Sequence, residues 1–370
     1  MQKIVVSVSN DLNTDQRVHK ICTTLLEEGF EVCLIGRKLK SSSKLSRAYQ
    51  THRMRLFFNQ GFLFYAEYTL RLFFRLSFVK KDILIANDLD TLLPNFLISK
   101  LSKKKLVYDS HELFTEVPEL ANRPLAQKTW LLIEQSIFPK LKNVYTVNAI
   151  IANIYSKKYK VPVKVVRNIA PLLKGSELDD AFVKRTKGGR KMLILQGAGI
   201  NVDRGGEEAV EMMDYLPNFV LYIIGSGDVF PILKKKVAEL KLEKRVFLLG
   251  RKPYEELMRY TKIADLGLSL DKNTNLNYEY SLPNKIFDYI QAKTPMLVSN
   301  RKIIADLVQN NDIGLVCKHH DPKKLADTVV EIFRDQTRYR NWKTNIEKAA
   351  KTYNWENEQK KLKEIYRNLL

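Results

Sequence analysis

Short apolar runs without alternation recur along the first half of the chain, at residues 3–9, 30–36, 82–86, 106–108, 144–147 and 163–166. They recur again at 192–196, 220–224, 246–249, 266–270, 296–299 and 315–317. Runs of this kind are expected of strands buried on both faces of a parallel sheet. Helical patterns lie between most of them. Val18, Ile21, Cys22, Leu25 and Leu26 share a helical face, Thr14-Asp15 can start that helix, and Gly29 suits its stop. Leu282, Ile286, Tyr289 and Ile290 recur in the same way, with Pro283 read as a first helical position. This alternation predicts an α/β protein of two doubly wound parallel-sheet domains. The second starts at Lys191, where basic residue, apolar strand, polar or glycine-bearing loop and helix repeat the opening order of the chain. The expected domains are residues 1–173 and 190–352. The polar stretch 174–190, with Gly175, Gly188 and Gly189, reads as a linker, and residues 353–370 follow the last helix of the second domain.

Composition adds two constraints. A length of 370 residues favours two domains, and a hydrophobic fraction of 45% gives each an ample core. The net charge of +21 calls for an anionic partner: nucleic acid, an anionic membrane, or phosphorylated substrates. No RNP motif, zinc finger or basic zipper is present, so nucleic acid is disfavoured. Cys22, Cys33 and Cys317 are far apart, which argues against zinc and a disulfide framework and favours a reducing cytosol. Residues 1–9 are too short and wrongly flanked for a signal peptide.

Candidate chemistry gathers at the strand ends, where open α/β sheets bind ligands. Asn10, Asp11 and Arg17 follow the first strand, Asp88 and Asp90 the third, and His111 lies between Ser110 and Glu112 after the fourth. Asn10, Asp11, Arg17 and Asp88 are read as acceptor-side residues, although an ordinary Asx turn and helix cap also explains residues 10–15, and Arg17 would equally suit a solvated face. In the second half, glycine-bearing turns holding Gly197, Gly225 and Gly227 would let backbone approach a phosphate. The helix after Pro283 offers free N–H groups to an anion, and Asn284 and Asp288 share one of its faces. An acid at that depth can accept from a hydroxyl. The combination suits a phosphorylated, hydroxyl-rich ligand such as a nucleotide sugar, although a plain capped helix has the same local pattern.

Leu-Pro-Asn-Lys-Ile-Phe-Asp-Tyr at 282–289 resembles the donor-binding helix, Pro-x-Lys-x-x-Glu-Tyr, of the group 1 (GT4) glycosyltransferases. The resemblance implies the GT-B fold, two Rossmann-like domains facing a cleft, with the terminal helix crossing back to the first. It places Asp288 on the acid that holds the nucleotide ribose. Tyr280 falls on the sugar-contacting glutamate, and Glu279 stands one position away. Arg204 matches the lysine of a diphosphate-binding pair, while Ala198 falls on its arginine; Lys285 would supply the second cation. Gly250-Arg251-Lys252 resembles the nucleobase loop, and His111 the cleft histidine near sugar and acceptor. His111, Arg204 and Lys285 are thus the candidate catalytic residues. The implied activity is metal-independent and retaining, with a nucleotide-sugar donor, a glycan or lipid-linked acceptor and no cofactor, in cell-surface polysaccharide or glycolipid synthesis. No protein nucleophile is evident, in keeping with front-face attack. Two rivals share these features: a nucleotide-sugar 2-epimerase of GT-B fold, and a non-catalytic basic membrane-binding protein.

Residues 53–81 interleave aromatic and basic side chains, among them Phe57, Phe62, Phe74, Arg71 and Arg75. Charges interrupt the stretch too often for a membrane-spanning helix. Its composition suits docking at an anionic membrane surface, or a core helix whose rings pack on the sheet. The expectation is a cytoplasmic enzyme, peripheral on the inner face of the cell membrane.

Overall fold

The computed structural model describes residues 1–13, 15–40, 42–173 and 179–369. Thr14, read above as part of a helix start, and Gly175 of the expected linker lie outside them. The chain divides into two compact units, Met1–Asn168 with Glu358–Leu370, and Ile169–Asn357.

In the first unit β1 (Lys3–Asp11), β2 (Glu31–Arg37), β3 (Gln50–Met54), β4 (Ile83–Asn87), β5 (Lys105–Ser110), β6 (Asn143–Thr146) and β7 (Val163–Val165) form one parallel sheet. Its order is β3-β2-β1-β4-β5-β6-β7. In the second unit β8 (Lys191–Gly197), β9 (Phe219–Gly225), β10 (Val246–Gly250), β11 (Leu266–Ser269), β12 (Met296–Ser299) and β13 (Gly314–Cys317) form another, in the order β10-β9-β8-β11-β12-β13, again all parallel. The apolar runs behave as their lack of alternation requires: all five residues of β4, and Met192–Gln196 within β8, are buried. In each sheet the winding reverses beside the first strand, at β1/β4 and at β8/β11. The C-terminal ends of those strands are the binding crevice of a doubly wound sheet. They carry Asp11 and Asp88 in one unit, and Gly197 and Asp271 in the other.

Four readings need correction. The edge strand β3 has no apolar run, since Gln-Thr-His-Arg-Met pairs only with β2 and buries only Met54. Part of the expected linker is a helix, Asp180–Lys187, capped by Asp179 and anchored by Phe182 and Thr186 in the second unit. Pro283 is the N-cap, in extended backbone, and the helix runs Asn284–Gln291. Asn10 and Asp11 end β1 rather than opening a loop.

Residues 358–369 belong with the first unit. Lys363 and Arg367 pair with Glu28, and the Tyr366 ring meets the edge of Phe30. Helix Gly61–Phe78 buries Phe64, Tyr68, Leu72 and Leu76, a stripe four residues apart, and turns Phe62, Leu70, Phe74 and Phe78 outward. Among the described residues no helix is long and apolar enough to cross a membrane.

Candidate active site

In the first unit the strand ends assemble a buried ionic chain. Arg17 lies on helix Gln16–Glu27, started by Asp15, whose carboxylate accepts from the Val18 amide. Its guanidinium is fully committed inside the unit. Nε and Nη2 donate to the two Asp109 oxygens at 3.0 and 2.7 Å, and Nη1 donates to the Val166 carbonyl. Arg17 is therefore a buried counter-charge, where the sequence reading had it acceptor-side or on a solvated face. Asp109 also meets His111, whose Nε2 lies 3.2 Å from Oδ2. On the other side His111 Nδ1 lies 2.9 Å from Asp88 Oδ2, and the His111 amide donates to Asp88 Oδ1 at 2.7 Å. Burial works against the charged imidazole, but Asp88 and Asp109 outweigh it and raise its pKa well above the usual histidine value. Asp88 holds this ring from a backbone conformation of φ 58°, rare outside glycine. Local strain of that kind concentrates at functional positions.

Next to this ionic chain stands a carboxyl that the sequence placed at the strand end without a role. Asp90 is buried and accepts from Ser9 Oγ, while its Oδ1 has no partner among the described residues. Burial, then the neighbouring Asp88 charge, push it up to about 7. Asp11 and Asn10 do structural work in the structure. Asp11 accepts from Arg53 on β3, Ser42 and the Asn13 amide, and Asn10 donates to Asp15. Asp11 therefore holds the edge of the sheet.

The second unit concentrates charge at one buried acid. Asp271 follows β11 and has no exposed surface. Its Oδ1 pairs with Arg204 Nη1 at 3.0 Å, and its Oδ2 with Lys285 Nζ at 3.0 Å. Arg301 Nη2 lies 3.7 Å from Oδ2, and Ser269 Oγ donates to Oδ2 at 2.8 Å. Burial opposes the Asp271 charge, but Lys285, Arg301 and Arg204 outweigh it and hold its pKa far below the carboxylate range. Burial and the neighbouring Arg204 and Arg301 charges pull the Lys285 pKa down, against Asp271. Arg204 stacks on the Tyr278 ring, 3.9 Å from its centroid. The loop bearing Arg204 is pinned by the Lys272 amide, which donates to the Asp203 carbonyl.

Asp288, one turn beyond Lys285, is also buried. Its oxygens accept from Gln196 Nε2 and Tyr254 Oη, both at 2.9 Å. Asn284 is exposed in the first turn of the same helix. Glu279 lies on the short helix Leu276–Tyr280, and its Oε2 is buried without a partner among the described residues.

A Cβ on Gly225 would stand 1.8 Å from the Gly197 carbonyl oxygen, and one on Gly227 the same distance from that of Ile200. Gly225 and Gly227 are glycine because two loops press backbone on backbone there. Arg251 bridges the two loops, donating to Ser226 Oγ at 2.6 Å and to the Ala198 carbonyl at 3.2 Å. Lys252 pairs with Glu256 one helical turn on, at the surface. Among the described residues no group of His, Cys, Asp or Glu is placed to hold a metal ion.

Residues 178–349, nearly the whole of the second unit, match the family model described as glycosyl transferases group 1. The second unit is thus similar to the group 1 glycosyltransferases, over a little under half of the chain. A curated relative, the amylovoran biosynthesis glycosyltransferase AmsK of Erwinia amylovora, is 28% identical over 143 residues. The chitobiosyldiphosphodolichol beta-mannosyltransferase of Kluyveromyces lactis is 25% identical over 158. These matches take in 38% and 41% of this chain, and 35% and 34% of the relatives' own lengths. Likeness in fold is broader. The sucrose-phosphate synthase from Thermosynechococcus elongatus superposes with a TM-score of 0.79 at 16% identity, over 100% of this chain and 99% of that one. Anabaena HepE, solved in complex with UDP, gives 0.74 at 14% identity over 100% of both. Both units together thus have the GT-B glycosyltransferase fold.

Four residues of these charged and hydrogen-bonded sites were given no role by sequence reading: Asp109, Asp271, Arg301 and Tyr254. Each follows or ends an apolar strand, or opens the next helix. Their shared position at strand C-termini is the signal that could have drawn attention to them.

Proposed function

We propose that this chain is a retaining, metal-independent glycosyltransferase of hexosyl type, using a nucleotide-diphosphate sugar. The observation that carries the proposal is the Asp271 cluster. Three cations, Arg204, Lys285 and Arg301, share one buried carboxylate, and such a surplus is costly unless an anion completes it. Donor diphosphate is that anion. Asp288 takes the ribose hydroxyls as their acceptor. Glu279, with its unpartnered oxygen, takes a sugar hydroxyl. The bond from the anomeric carbon to the diphosphate oxygen breaks, and a bond from that carbon to the acceptor oxygen forms on the same face. The acceptor's proton passes to the leaving phosphate. Arg204 and Lys285 stabilise the charge that develops on that phosphate in the transition state. His111 and Asp88 serve the acceptor side. HepE was solved with UDP-glucose, so uridine nucleotides are the first donors to try.

The acceptor is a lipid-linked glycan at the cytoplasmic face of the membrane, in cell-surface polysaccharide or glycolipid synthesis. The outward face of helix Gly61–Phe78, with Phe57 and Phe58 before it, supports this reading. Glu67 accepts from the Phe57 and Phe58 amides and pairs with Arg71, which covers the Phe57 ring. The two exposed rings are therefore held outward by a built contact.

Incubation with labelled nucleotide sugars and membrane lipid tests the reaction. A glycolipid with unchanged anomeric configuration supports it. Epimerised nucleotide sugar, or no transfer from any donor, contradicts it.

A further inference from the structure

We propose that Arg301 is a positioning residue for the donor sugar, tying the segment that carries Glu279 to the Asp271 cluster. The inference rests on the functional reading above and concerns how its two halves, diphosphate and sugar, are kept in register.

Arg301 follows β12 and is 1% exposed, too buried to touch a ligand itself. Its guanidinium works in two directions. Nη1 donates to the Tyr278 carbonyl and, at 2.9 Å, to Ser281 Oγ. Nη2 faces Asp271, the acid that also holds Arg204 and Lys285. Tyr278 is thus gripped twice, its carbonyl by Arg301 and its ring by Arg204.

This grip matters because the helix it holds cannot hold itself. Leu276–Tyr280 is 5 residues long, capped by Asn275 through the Tyr278 amide. A helix of that length has no stability of its own and takes its place from its contacts. Glu279 is the next residue after Tyr278, so whatever fixes Tyr278 fixes the sugar-side acid.

An arginine buried for stability alone is a poor solution, since a packed apolar side chain would avoid the desolvation cost. Nε and Nη2 of Arg301 have no hydrogen-bond partner among the described residues. The planar fork reaches a carbonyl, a hydroxyl and a carboxylate at once, which a lysine does not. The cost is explained if the arginine transmits geometry from the cation cluster to Glu279.

The test compares wild type with Arg301→Gln, Arg301→Lys and Ser281→Ala. Calorimetry measures binding of UDP, GDP and ADP and of UDP-glucose, GDP-mannose and ADP-glucose. Turnover is followed with whichever sugar nucleotide proves active. Arg301→Gln should cost the sugar nucleotides more affinity than the nucleoside diphosphates, which lose only the longer-range pull of one cation. It should lose the added affinity for the sugar and lower kcat on the order of tenfold to a hundredfold, as expected when a reacting group is displaced by about an ångström. Arg301→Lys should fall between, and Ser281→Ala should shift the same quantities in the same direction by less. Equal losses for diphosphate and sugar nucleotide, or unchanged kcat, overturn the inference. If Arg301→Gln fails to fold, Ser281→Ala decides: its sugar-dependent loss supports the role, and wild-type behaviour refutes it. A wild-type protein that binds none of these nucleotides contradicts the functional reading, and this inference with it.

Discussion

Lys285 Nζ lies 3.0 Å from Asp271 Oδ2, with the lysine 9% and the aspartate 0% exposed. A pair this deep is held by the balance of its cluster and not by solvent. Removing the acid leaves three buried cations without a counter-charge. Asp271→Asn should therefore cost about 3–5 kcal/mol of stability in chemical unfolding. Adding Lys285→Met should recover part of the loss, because one stranded charge disappears. A double variant no more stable than Asp271→Asn would show that the cluster is not electrostatically coupled.

Asp90 gives a pH signature. Its pKa in the folded chain is raised to about 7, chiefly by burial. The neutral acid is favoured by folding, so its stabilisation is fully present below about pH 4. It is lost as pH rises to about 7. Asp90→Asn stays neutral throughout and still offers an oxygen to Ser9. Relative to wild type, the variant should gain a few kcal/mol between about pH 4 and pH 8. Parallel stability profiles for the two proteins would place the Asp90 pKa in the ordinary range.

Asp288 is both structural and ligand-facing in this account of the site. Its loss takes the acceptor from Gln196 Nε2 and Tyr254 Oη as well as from the ribose. Asp288→Ala should weaken nucleotide binding by roughly 1–3 kcal/mol. Tyr254→Phe, which removes one donor and no acceptor, should weaken it by less. Calorimetry showing the reverse order would move the ribose contact elsewhere.

The outward rings set a fourth expectation. Binding to anionic vesicles in a flotation assay should rise with the anionic lipid fraction and fall with salt. Phe62→Ser with Phe78→Ser should reduce it. Arg75→Glu should reduce it more than Arg71→Glu, because Arg71 is already paired with Glu67. Wild type that stays unbound at low salt would point to a soluble acceptor.

The fold was legible where physics leaves a local trace. Strands sandwiched between helices carry unbroken apolar runs, so β4 and β8 announce themselves. Edge strand β3 escapes because it is largely solvated, and helix Asp180–Lys187 because it buries just Phe182 and Thr186. The Pro-Asn-Lys-Ile-Phe-Asp-Tyr helix was readable because its spacing is local. Arg17 and Asp109 were not, since their partnership spans 92 positions and exists only after folding. The same holds for Arg204 and Asp271, 67 apart. Gly225 and Gly227 show a different gap: the backbone contact that requires them appears only in the fold, since in sequence they look like any glycine-bearing turn.

The most direct measurement is calorimetric titration of the wild type with UDP and UMP, GDP and GMP, and ADP and AMP, repeated on Arg204→Met and Lys285→Met. One matched pair should bind, the diphosphate at least about tenfold tighter, or about 1.4 kcal/mol. Each substitution should remove most of that difference while leaving the monophosphate nearly unchanged. Equal affinity for mono- and diphosphate in the wild type, or a preference that survives both substitutions, would contradict a diphosphate site at Arg204, Lys285 and Asp271.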